Sequence, residues 1–135
     1  MGKSIPGEPR YRELVAWQCA IDLAELTYRL TAAYPATERF GLVQQMRRAA
    51  VSGMSNIAEG NFRLHIGDYI HHISIARGSI GELRAQLELS GRLGFIEGAA
   101  LHDALASCDR VGRLMTGLAG ALRARQTKHQ SRIVD

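Results

Sequence analysis

Proline is nearly missing from this chain: there are three, at Pro6, Pro9 and Pro35. Past residue 35, no blocked N–H or ring clash interrupts a helix. No run alternates β-branched and aromatic residues between turn pairs, which excludes a sheet protein. No apolar run approaches the roughly 18 residues of a membrane span, and the N-terminal MGKSIPGEPRYRE lacks the apolar stretch of a secretory signal. The expected location is cytoplasmic, with no membrane partner. The two cysteines, Cys19 and Cys108, lie far apart without C-x-x-C or zinc-like spacing; both fall at helical apolar positions and read as buried thiols. A glycine-rich phosphate loop is lacking too, since GSIGE belongs to a heptad helix rather than a strand–loop–helix. Lysine is scarce: of the seventeen basic residues only Lys3 and Lys128 are not arginine, and the arginine fork suits bidentate phosphate contacts.

What is present suffices for one domain, with 135 residues of which 46% are hydrophobic. The net charge of +4 is unevenly spread. Residues 1–12 hold Lys3, Arg10 and Arg12 against Glu8, and residues 123–135 hold Arg123, Arg125, Lys128 and Arg132 against Asp135. The segment between them carries ten arginines and eleven acids, so the body is nearly neutral and the ends are basic.

Apolar periods of three and four define four helices. The first, about residues 11–33, carries Leu14, Trp17, Ile21, Ala24 and Tyr28, with a second row of Cys19, Leu23, Leu26 and Leu30. Pro35 breaks it, and Thr37 can cap the second helix, about residues 39–58, which Gly60 would end. Its core row is Leu42, Val43, Met46, Ala50, Gly53 and Ile57. The third, about residues 66–93, has a heptad seam of Tyr69, Ile73, Ala76, Ile80, Leu83 and Leu87. The fourth, about residues 99–125, repeats Leu101, Leu105, Cys108, Gly112, Met115, Ala119 and Leu122. Short connections between amphipathic helices predict an all-α, antiparallel up-and-down four-helix bundle over residues 11–126. A disordered arm (1–10) and a flexible basic tail (127–135) are expected to flank it.

Two faces remain beyond the core rows. On the second helix Gln45, Arg48, Ser52, Ser55, Asn56 and Glu59 share an arc of about 100°. This arc reads as a structural polar network of Arg48, Ser52, Asn56 and Glu59, with Arg77 as the expected neighbour of Glu59. On the third helix Ser74, Gly78, Gly81 and Ala85 form a small-residue row, predicted to admit a second backbone closely; the alternative is a tolerated, weak helix.

AWQCA, ERFGL, QMRRAAVS, SNIAEG followed by Arg63, IARGSIGEL and LGFI occur in that order. In these the chain resembles the small bacterial four-helix-bundle proteins named after the intervening sequences of 23S ribosomal RNA genes. The resemblance spans roughly residues 11–123. It implies a homo-oligomer, a pentamer in relatives, and similarity to accessory proteins of diversity-generating retroelements, which bind nucleic acid. It carries over no catalytic residues.

Sharper chemistry finds little support in the residues. A carboxylate-x-x-His pair of the di-metal bundle kind occurs only at Asp68 and His71. His65, Asp68 and His72 could face one side as metal ligands, but an exposed helix start is the favoured reading, so no metal or cofactor is expected. Ser52 and Ser55 have no histidine within helical reach. The expectation is therefore a non-catalytic oligomer that binds RNA or DNA electrostatically, without strong sequence preference. Its expected contacts are Arg47, Arg63, Arg84, Arg110, Arg113, Arg123, Arg125, Lys128 and Arg132. The alternative is a homo-oligomeric protein–protein scaffold or accessory subunit with no nucleic-acid role.

Overall fold

The computed structural model describes residues 10–134, and among these the regular structure is entirely helical. A 3-10 turn, Arg10–Glu13, leads into α1, Val15–Thr31; another, Ala36–Glu38, precedes α2, Leu42–Phe62; α3 is Ile66–Arg92 and α4 is Gly98–Val134. The helices pack in the cyclic order α1, α2, α3, α4, with α4 closing on α1. This is the antiparallel up-and-down bundle that the periods predict.

The connections explain the short turns. Glu38 Oε1 accepts a hydrogen bond from the Leu42 amide at 3.4 Å, covering one open donor at the start of α2 in place of the expected Thr37 cap. Between α3 and α4, Gly94 and Gly98 take φ values of +78° and +59°, the left-handed conformation that glycine adopts at least cost. The rings of Tyr34 and Phe95 pack 5.4 Å apart, tying the α1–α2 turn to the α3–α4 turn at one end of the bundle.

The core is built on Met46 and Ile57 of α2, Ile73, Leu83 and Leu87 of α3, and Val111, Met115 and Leu122 of α4. α1 departs from the expected stripe. Its buried face is Ala16, Ala20, Leu23, Ala24, Thr27 and Thr31, while Trp17 and Ile21 are half-buried and Tyr28 is exposed. The threonines behave as apolar residues because their hydroxyls bond to carbonyls one turn back, Thr27 to Leu23 and Thr31 to Thr27, each at 2.7 Å.

No helix of the same chain packs on the small-residue row of α3. Ser74, Gly78, Gly81 and Ala85 are all exposed, and a Cβ added at Gly78 or Gly81 would meet nothing within 4 Å. The glycines that admit a neighbour lie on α2. A Cβ on Gly53 would sit 2.5 Å from Ile80 Cδ1, and one on Gly60 would sit 2.9 Å from His72 Cβ and 3.2 Å from the Tyr69 carbonyl oxygen. Gly60 is thus not a cap: α2 continues to Phe62, and Gly60 is where it approaches α3. The end of α4 lies further along the chain than the periods indicate. Nothing in QTKHQSRIV breaks a helix, and α4 reaches Val134. Of the expected N-terminal arm, residues 1–9 lie outside the described residues. No described helix is long and apolar enough to cross a membrane.

Candidate nucleic-acid interface

Facing one another along α2 and α3 is a polar seam. Arg48 pairs with Glu82 at 2.7 Å and also holds Gln45. Ser52 and Ser79 hydroxyls meet at 2.8 Å, and Asn56 Nδ2 donates to the Ser52 carbonyl at 2.9 Å. His72 Nδ1 lies 2.9 Å from Asn56 Oδ1, and its Nε2 lies 3.9 Å from Glu59 Oε1. Glu59 takes its arginine from just past the end of its own helix, Arg63 at 2.8 Å, four residues on. Arg77 is not part of this seam. It points away from α2, is exposed, and has no hydrogen bond or ion pair among the described residues. The partners that the sequence reading missed, His72, Ser79 and Glu82, recur on α3 at spacings of seven and three. That polar row is legible once α3 is laid antiparallel to α2.

The nine cations expected to contact nucleic acid divide into two groups. Three are engaged within the chain. Arg47 Nε donates to Thr31 Oγ1 at 3.0 Å, and its guanidinium lies 4.5 Å from the Tyr28 ring centroid. Arg63 holds Glu59. Arg84 holds Glu88 and, through Nε at 2.6 Å, Asp109. The other six, Arg110, Arg113, Arg123, Arg125, Lys128 and Arg132, are all on α4, all exposed, and without a hydrogen bond or ion pair among the described residues. At 100° per residue Arg110, Arg113, Arg125, Lys128 and Arg132 fall within an arc of about 120°, along about 33 Å of helix. The core residues Val111, Met115 and Leu122 occupy the other side.

Between α3 and α4 runs a groove of about 450 Å³, with Arg77 and Arg113 among its cations and Gly81 and Gly112 among its small residues. Hydrogen bonding from Arg84 holds the Asp109 carboxyl below its ordinary range, against a smaller opposing effect of burial. Burial, then the neighbouring Asp109 charge, push the Cys108 thiol up to about 12, so it stays protonated at neutral pH. His65 and Asp68 are exposed at the start of α3 while His72 is committed to the seam; among the described residues no three His, Cys, Asp or Glu side chains gather as a metal site.

The described residues thus form an up-and-down four-helix bundle whose last helix carries exposed cations in two groups along one side, Arg110 and Arg113, then Arg125, Lys128 and Arg132. Residues 12–117 match the family described as 23S rRNA-intervening sequence protein, and the chain belongs to that family. Its fold is also that of a protein of unknown function from the S23 ribosomal protein family of Bacteroides thetaiotaomicron. That crystal structure matches with a TM-score of 0.71 and 19% identity, covering 78% of this chain and 98% of the other. A search of curated proteins gives no match.

Proposed function

We propose that this chain is a non-catalytic, self-associating bundle protein that binds nucleic acid through the basic face of α4. One observation carries the reading: all six unpaired candidate cations lie on a single helix, five of them on one side of it. Cations already neutralised by carboxylates gain little from phosphate, whereas free ones release condensed counterions from a polyanion. Contacts of this kind position a backbone without reading bases, so sequence preference is weak. The family resemblance points the same way, both to nucleic acid and to a homo-oligomer, in which the face would be repeated around an axis. Exposed Phe40, Phe62 and Leu64, at 81%, 67% and 94%, supply apolar surface for self-association.

Mobility shifts on single- and double-stranded RNA and DNA over a salt series test it. The intact chain binds all of them, with affinity falling steeply as salt rises. Removing residues 127–135 takes away Lys128 and Arg132 and lowers the salt slope by about two. Absence of binding at low salt would retire the reading in favour of the scaffold alternative, in which the same faces recognise another protein.

A further inference from the structure

We infer that one end of the bundle holds a phosphate-recognition pocket sized for a single nucleotide. The cavity lies where the entry to α1, the α2–α3 turn and the last core turn of α4 converge. Its volume of about 440 Å³ falls within the roughly 300–1,000 Å³ of small-ligand sites. Three arginines from three separate elements line it: Arg10, Arg63 and Arg125. Arg10 and Arg125 have no hydrogen bond or ion pair among the described residues, and Arg63 spends one nitrogen on Glu59. Glu13 is the one acid lining the cavity among the described residues.

The remaining lining is suited to an organic body attached to the phosphate. Leu14, Leu118 and Leu122 give it an apolar surface. Asn61 Nδ2 donates to the Tyr69 hydroxyl at 3.1 Å, which leaves the tyrosine proton free to donate to a ligand oxygen. Tyr69 is itself buried, so that donor is held in place by the core. His65 and Ile66, where α3 begins, add the partial positive charge of the helix start to the same cavity.

A phosphate alone would leave the leucine surface wet, and an apolar molecule alone would leave the arginines idle. A nucleotide satisfies both. The shared chemistry admits two sources, the 5′-terminal nucleotide of a strand or a free mononucleotide. Arg125 belongs both to this pocket and to the basic face of α4, so a strand lying along that face would end in the cavity. The strand form rests on the nucleic-acid reading above; the mononucleotide form does not.

Titration calorimetry on the full chain separates the possibilities, using AMP, inorganic phosphate, and one short DNA strand bearing either a 5′-phosphate or a 5′-hydroxyl. The 5′-phosphate is expected to tighten binding about tenfold, the scale of one charge-assisted contact. The double variant Arg10→Ala/Arg125→Ala, checked for helicity, should erase that difference. Arg132→Ala, outside the pocket, should weaken both strands alike. AMP binding as tightly as the phosphorylated strand assigns the pocket to a free nucleotide; weaker AMP binding assigns it to a strand end. Equal affinity for the two strands with no AMP binding overturns the pocket and leaves the electrostatic reading standing. AMP binding that the double variant abolishes, in a chain that binds no strand, does the reverse. A phosphate effect that survives the double substitution overturns the location, and inorganic phosphate matching AMP overturns the nucleotide.

Discussion

His72 is held in one tautomer by its neighbours. The Ser52 carbonyl can only accept, so Asn56 must turn its NH2 toward it, which leaves Oδ1 facing His72 Nδ1 at 2.9 Å. Nδ1 therefore carries a proton, and Nε2 lies 3.9 Å from Glu59 Oε1. Nitrogen NMR on the folded chain should show the Nδ1–H form. Asn56→Asp, which replaces the donor toward Ser52 with a second acceptor, should cost about 1–3 kcal/mol in denaturant unfolding. Asp109 gives a pH prediction at the same scale. Its folded pKa lies below the ordinary 3.8, so the stability it contributes is present above that value and is lost as pH falls through the lowered one. Asp109→Asn should destabilise at neutral pH and flatten the acid limb below about pH 4, and added salt should shrink the difference because the pair is partly exposed. A thiol reagent should label half-buried Cys19 in the native chain and reach Cys108 only on unfolding.

At the scale of elements, glycines of one chain have opposite meanings. Gly60→Ala forces a methyl against the Tyr69 carbonyl and the His72 Cβ, and should cost about 1–3 kcal/mol despite the better helix propensity. Gly81→Ala meets open space and should stabilise the bundle by about 0.5–1 kcal/mol. Thermal melts of the two variants check both signs. The same contrast shows what the sequence could and could not reveal. Periodicity located α2, α3 and the start of α4, because their buried rows are apolar. It misplaced the face of α1, where threonines satisfy their own hydroxyls and alanines carry the contact. It ended α4 early, because a polar composition resembles a tail even when no residue stops the helix. Which glycine stripe admits a backbone depends on the register of two helices, and spacing within one helix holds no information about that.

For the whole molecule, the list of cations was legible but their availability was not. Arg47 and Arg84 look equivalent to Arg110 and Arg113 in sequence; only the packed bundle brings Thr31 and Asp109 to them, whereas the Glu59–Arg63 pair is a local one, four residues apart. Self-association is a prediction at this scale. Light scattering at micromolar concentration should give a mass well above 14.8 kDa, and Phe62→Ser with Leu64→Ser should lower it while leaving helicity intact. A monomer mass for the intact chain would remove the oligomeric part of the proposal.

The last turns of α4 have one more consequence. Beyond Leu122, the last fully buried side chain of the helix, about ten residues continue with hardly any packing to hold them. An unpacked segment of that length is a marginal helix in water, and Lys128 with Arg132 places two positive charges one turn apart, where they oppose helicity. Polyanions relieve that opposition. By linkage, a ligand that neutralises the segment must tighten its helix by the same free energy with which the helix favours the ligand. Heparin or DNA should therefore raise the helical signal of the intact chain and slow amide exchange in residues 123–134, and the effect should fade at high salt. The end of α4 would then act as a charge-dependent spring whose stiffness reports what is bound to it.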